Sequence, residues 1–211
     1  IDEFVGQGIR YEGGFIPPVL GAGLIGPMGP VWTELVEDFD RLSSFGFMVS
    51  DSSRGRVSVN RHGKPRIHYW LNESDRLKMV YGHGILAKVF LAAGAKEIYP
   101  GLRHFERIRN EADIARLETE GPKRLRALDI DITAYHPLGS CRMGTDPDRS
   151  VVGQDHECHD VKNLFISDGA TVSGPLGVNP QMTIMAMSLR ASQFVARRVE
   201  QADRVQVQVA Q

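Results

Sequence analysis

His136 stands in Tyr135-His136-Pro137-Leu138-Gly139-Ser140-Cys141-Arg142-Met143-Gly144, and Asn179 in Gly177-Val178-Asn179-Pro180-Gln181-Met182-Thr183. Imidazole accepts a proton near neutral pH, so His136 has the chemistry of a general base. A histidine followed by proline is by itself an ordinary loop residue; the ten-residue context carries the signal. Asn179 precedes Pro180 and suits a helix cap whose first helical position is proline. Capping and contact with a substrate are compatible roles for that amide.

Two other groupings invite a chemical reading and are declined. Gly21-Ala22-Gly23-Leu24-Ile25-Gly26 has the glycine spacing of a dinucleotide loop. Such a loop works between a strand and a helix whose free N–H groups meet a pyrophosphate. Here Pro17 and Pro18 come before it and Pro27, Gly29 and Pro30 after it, which argues against a helix and for a flexible loop near an entrance. The cluster Asp155-His156-Glu157-Cys158-His159-Asp160 follows no zinc spacing, so no metal is assigned and a metal-dependent hydrolase is the weakest reading. Cys141 reads as a packed thiol.

The succession of the His136 motif, Ser150-Val151-Val152, Asn163 to Gly169 and the Asn179 motif closely resembles the C-terminal signature of glucose-methanol-choline (GMC) oxidoreductases. Ser53-Arg54-Gly55-Arg56-Val57 and Ala93-Gly94-Ala95-Lys96-Glu97-Ile98 look like the substrate domain of that family. The resemblance implies FAD as cofactor, a small-molecule alcohol as substrate, and hydride transfer from the CH–OH carbon to the flavin. It implies His136 as catalytic base and Asn179 as the residue that hydrogen-bonds the substrate oxygen. It also implies that Asp168 and Gly169 approach the ribityl and pyrophosphate part of FAD. The helix start at Pro180, Gln181 and Met182, with Thr183, would face the flavin and favour its reduced state through free N–H groups and the helix dipole. The N-terminal glycine-rich region of the family has no counterpart here, so the FAD-binding half is expected in the same or another chain. Relatives acting on bulky or long-chain alcohols are the nearest analogy, and the electron acceptor stays open among oxygen, a quinone and a carrier protein.

These residues need elements to position them. Gly6 to Pro30 reads as extended loop with short strands. Alternation from Phe45 to Tyr69, with turns at Ser52-Ser53-Arg54-Gly55 and His62-Gly63-Lys64-Pro65, predicts antiparallel strands joined by hairpins. A helix is predicted from Glu73 to about Ala93, capped by Asn72 or Ser74 and stopped by Gly94. His104 to Asp129 has the pattern of a solvated surface helix, with Ile108, Ala112, Ala115 and Leu117 as its stripe. Asn163 to Ser167 reads as a buried strand that feeds a turn at Asp168-Gly169. A last helix, Pro180 to about Ala202, should start buried and end at the surface.

The 211 residues carry 25 basic and 26 acidic side chains, a balance that points to neither nucleic acid nor an anionic membrane surface. No apolar run is long enough for a membrane span. The reading is a soluble chain that leans to the cytoplasm, although two cysteines leave the redox compartment open. An opening at Ile1 without methionine or a secretory pattern leads us to expect a true start upstream. The expected fold class is α+β: an antiparallel-sheet substrate domain over 1–130, the catalytic motif and C-terminal return segment of an α/β FAD-binding domain over 131–203, and a tail over 204–211. The competing expectation is a non-catalytic truncated or regulatory module that cannot bind FAD alone.

Overall fold

The computed structural model describes residues 1–14, 16–26 and 28–209, with 203–209 described by backbone alone. Helices combine with small antiparallel sheets, and the chain divides into two compact units. The first comprises Ile1–Gly55 and Ile67–Thr133, the second Arg56–Arg66 and Ala134–Gln211.

In the first unit, strand β1 (Ile9–Gly13) pairs antiparallel with β2 (Phe45–Val49), Ile9 opposite Val49 and Gly13 opposite Phe45. The expected partner of β2 was the strand that follows it. Instead Ser52 and Ser53, placed in a turn by the sequence, hang on the buried carboxylate of Asp75: its Oδ2 accepts from Ser52 N, Ser53 N and Ser53 Oγ at 2.7, 2.7 and 2.6 Å. Strands β3 (Arg54–Val59) and β4 (Pro65–Trp70) form the predicted hairpin, which the division into units cuts across. Its turn follows from Asn60, whose Oδ1 accepts from His62 N and Lys64 N, and from Gly63, which adopts φ 73°.

The glycine-rich opening departs from the extended loop expected of it. Helix α1 (Pro18–Leu24) contains Gly21 and Gly23, and α2 (Pro30–Glu37) follows. The reason is that Pro18 and Pro30 each open a helix, where a fixed φ helps and a missing N–H costs nothing. Trp32 Nε1 donates to Ala22 O at 2.8 Å, tying the two helices together. Gly21 and Gly23 therefore lie within a helix rather than in a loop between a strand and a helix, so the run does not form a strand–loop–helix phosphate site. Phe15 and Pro27 lie outside the described residues.

Helix α3 (Glu73–Ala92) has Asn72 as its cap, Oδ1 accepting from Asp75 N at 2.8 Å, and Gly94 at φ 92° just beyond its end. The charged helix is shorter than its pattern: α4 (Glu111–Arg124) starts at the Asn110 cap, and Ile108 lies outside it, bridged to Ile98. Ile114 and Leu117 of α4 pack with Val80 and Ala87 of α3 and with Leu102, Phe105, Leu125 and Ile130 in the main core. Of the expected stripe, Ala112 and Ala115 are exposed, and Ile114 joins Leu117 in the core instead, so the helix is buried along one face rather than solvated all round. A smaller cluster of Ile9, Tyr11 and Leu86 fastens β1 to the other side of α3.

In the second unit, α5 (Gln181–Val209) runs past the expected stop near Ala202, so 204–209 is helical rather than a tail. No glycine or proline interrupts the sequence after Pro180. Residues 210 and 211, the rest of that expected tail, lie outside the described residues. The first half of α5 was expected to be buried, yet Met182, Met185 and Leu189 are exposed, because no described element covers that face. The expected strand at Asn163–Ser167 reduces to one bridge, Phe165 with Glu157, and Leu164 is exposed.

Candidate active site

The segment that follows His136 is held by backbone hydrogen bonds on both sides. Toward the Asp168 turn, Gly139 N donates to Gly169 O at 3.4 Å, Cys141 N to Ala170 O at 3.0 Å and Met143 N to Thr171 O at 2.9 Å. On the other side Val151 N donates to Arg142 O and Gly144 N to Val152 O, both at 3.0 Å. Gly139 makes the entry possible: its φ of 77° favours glycine, and a Cβ there would stand 3.2 Å from Val172 O.

Asp168 caps the one-turn helix Gly169–Thr171, Oδ1 accepting from Ala170 N at 2.8 Å, while Thr171 Oγ1 donates to Asp168 O at 2.9 Å. Gly169 is buried at the meeting point of three segments. A Cβ added to it would lie 3.0 Å from Leu138 Cδ2 and 3.1 Å from Ile184 Cδ1. The structure thus brings the His136 motif, the Asp168-Gly169 turn and the first turns of α5 together around one missing side chain.

His136 and Asn179 are both exposed. The first helical bond of α5 runs from Ile184 N to Pro180 O at 2.9 Å, so Pro180 occupies the cap position. Asn179 stands one residue before it, not at the cap its sequence position led us to expect. Pro180 is buried, whereas Gln181 and Met182 are exposed. Beside these residues lies a cleft of about 310 Å³ lined by Met143, Gly144, Gln154, Thr171, Val172, Ser173, Thr183 and Met187. All its lining side chains are uncharged. Among them only Met143, Gly144 and Thr183 fall in the two quoted motifs, and nothing local in the sequence marked the others.

The acidic and histidine cluster at 155–160 is used internally. His156 is fully buried in a left-handed conformation, φ 68°, with Nδ1 3.0 Å from Ile166 O, and its backbone O accepts from Ile166 N at 3.1 Å. His159 Nε2 lies 2.9 Å from Ser150 Oγ, and Glu157 pairs with Arg198 of α5. Among the described residues, no group of three or more His, Cys, Asp and Glu side chains is arranged to hold a metal ion. Nor does any described helix have the length and apolar content to cross a membrane.

A family model described as GMC oxidoreductase matches residues 51–188, well over half of the chain. The chain belongs to the GMC oxidoreductase family. A long-chain-alcohol oxidase of Arabidopsis thaliana is 32% identical over 157 residues, which cover 71% of this chain and 21% of the oxidase. The 2-methyl-1,2-propanediol dehydrogenase of Mycolicibacterium austroafricanum is 42% identical over 64 residues, 30% of this chain and 12% of the dehydrogenase. A crystal structure of pyridoxine 4-oxidase from Mesorbium loti aligns at TM-score 0.43 and 20% identity, over 72% of this chain and 29% of that one. This GMC chain therefore spans less than a third of the length of each of these relatives.

Proposed function

We propose that this chain is the C-terminal portion of an FAD-dependent oxidoreductase that oxidises an alcohol CH–OH group, with His136 as base and Asn179 orienting the substrate. The observation that carries the reading is the ladder from 139–143 to 169–171, which makes the His136 motif and the Asp168-Gly169 turn one backbone unit. That unit lies within the residues matched by the GMC family model. Residues 1–130 serve as the substrate-binding part and 131–203 as the catalytic motif with the return segment to the FAD-binding domain.

His136 takes the hydroxyl proton of the substrate, a role that an exposed imidazole on a braced segment is suited to fill. The Asn179 amide donates to the same oxygen and fixes the carbon's orientation, which lowers the entropic part of the barrier. FAD, when bound, supplies the hydride acceptor.

The residues present fit such a group. The first N–H groups of α5, at Gln181, Met182 and Thr183, have no acceptor within the helix, and acceptor-rich flavin chemistry with its negative charge in the reduced state suits them. Pro180 opens this donor set, and Asp168 and Gly169 stand beside it to hold the ribityl and pyrophosphate part. The exposed apolar side chains of α5 favour completion by an FAD-binding half in the same or another chain. Likeness to the plant oxidase favours a long-chain or bulky alcohol as substrate.

The test is to purify the chain assembled with its FAD-binding half and to add candidate alcohols without oxygen. Flavin absorbance should follow the chain and bleach with substrate. Assembled protein without flavin would contradict the reading and favour a non-catalytic module.

A further inference from the structure

Gly169 is not a glycine for conformational reasons, since it is absent from the positive-φ positions and sits at the start of a one-turn helix. What sets it apart is space. It is buried, and the volume a Cβ would take is filled from two directions, by Leu138 Cδ2 at 3.0 Å and by Ile184 Cδ1 at 3.1 Å. Contacts this short require a neighbour to yield by a few tenths of an ångström. Neither neighbour is free to yield without consequence: Leu138 leads into the ladder that begins at Gly139, and Ile184 donates the first backbone bond of α5.

We propose that Gly169 is a positioning residue, the spacer whose missing side chain sets the separation between the His136 segment and the head of α5. Leu138 follows His136 by two residues and Ile184 follows Asn179 by five. The thickness of the layer between Leu138 and Ile184 therefore fixes how the base and the orienting amide stand relative to each other. The inference rests on the catalytic pair named above. It gives Gly169, already named beside the cofactor, a second role that acts on both residues of the pair without touching a reacting atom. Leu138 and Ile184 are half-buried, and an added volume between them appears as a displacement of the side chain or segment that gives way.

The decisive experiment uses Gly169→Ala, Ile184→Val and the double variant. Ile184→Val removes the Cδ1 methyl that the new Cβ would meet. In the assembled enzyme, at unchanged flavin content, Gly169→Ala is expected to lower kcat about tenfold to a hundredfold, with KM changed far less, as a misplacement of an ångström or less is enough for such a loss. The double variant should recover part of that kcat, since Leu138 Cδ2 still meets the new Cβ. Thermal unfolding of the assembled enzyme gives a second readout: Gly169→Ala lowers Tm, and adding Ile184→Val restores part of it, a non-additivity expected of groups in contact.

Two results would overturn the spacer: additive Tm changes, or a Gly169→Ala enzyme with unaltered kcat. A merely structural role would show the Tm coupling with kcat unmoved, and so counts against the inference. Failure of the underlying catalytic reading is seen separately, as a His136→Ala enzyme that keeps its full rate while the Tm coupling between Gly169 and Ile184 stands.

Discussion

Leu117 of α4 and Leu189 of α5 are leucines on long helices of the same chain, yet the first is 0% exposed and the second 67%. The two helices differ in what packs against them. In the first unit, α3, α4 and the loops around Leu102, Phe105 and Ile130 close over one another, and even the polar residues Asp75 and Arg76 are buried with partners. The second unit buries Val152, His156, Thr171, Val172 and Ala191, and is held chiefly by backbone hydrogen bonds between its irregular segments. Its long helix leaves Met182, Met185 and Leu189 uncovered. The first unit buries the larger apolar cluster, while Val19, Met28, Ile67, Trp70 and Leu128 lie exposed on it. The second unit buries a smaller set, and the exposed apolar face of α5 belongs to the unit that carries the candidate site.

The sharpest way to break this contrast is at Leu117. Leu117→Ala should cost about 2–5 kcal/mol, the range for a buried leucine that leaves a cavity. Amide exchange should show α3 and α4 losing protection, and a loss confined to the second unit would refute the assignment of the core.

Acidification should also weaken the first unit. His83 lies edge-on to the Phe47 ring, 4.9 Å between centroids, and burial pushes its pKa below the ordinary histidine value against the opposing pull of the Met79 and Pro100 carbonyls. An unfolded chain then binds the proton first, so stability is lost as pH falls below about 6.5. For Asp75, burial alone would raise the pKa, but hydrogen bonds from Ser53 Oγ, Lys78 and the backbone of Ser52 and Ser53 outweigh it and hold the value below the usual carboxylate range. Its contribution is complete above about pH 3.9 and is lost as pH falls through the lower folded value. Urea titrations at neutral, mildly acidic and strongly acidic pH, followed on α3 amides, should show the midpoint falling at each step; a midpoint that rises on acidification would contradict both assignments.

The smallest effect is expected at Leu189. In the 211-residue chain Leu189→Ala should change stability by no more than about 0.5 kcal/mol, as surface substitutions do. After assembly with an FAD-binding half it should weaken association, and equal behaviour in both states would remove the contrast between the units.

What the sequence revealed divides along similar lines. Helix α3 was legible from end to end because its signals are local: Asn72 at the cap and Gly94 beyond the stop. Helices α1 and α2 were not, since Pro18 and Pro30 read as breakers until their place at the first helical position is known. The partner of β2 lies more than thirty residues back in β1, a pairing that no local pattern encodes. His136 and Asn179 were picked out because their motifs are contiguous in the sequence. The contact of Leu138 and Ile184 across Gly169 could not, because it exists only once three separate segments have met.

The most direct test of the central claim is the rate at which an alcohol reduces the flavin of the assembled enzyme, measured by anaerobic rapid mixing for the native protein and for His136→Ala. Loss of a positioned base should slow this step by about 10²–10⁴-fold while the protein still binds flavin. Reduction at the native rate in His136→Ala would contradict the assignment of His136 as the base.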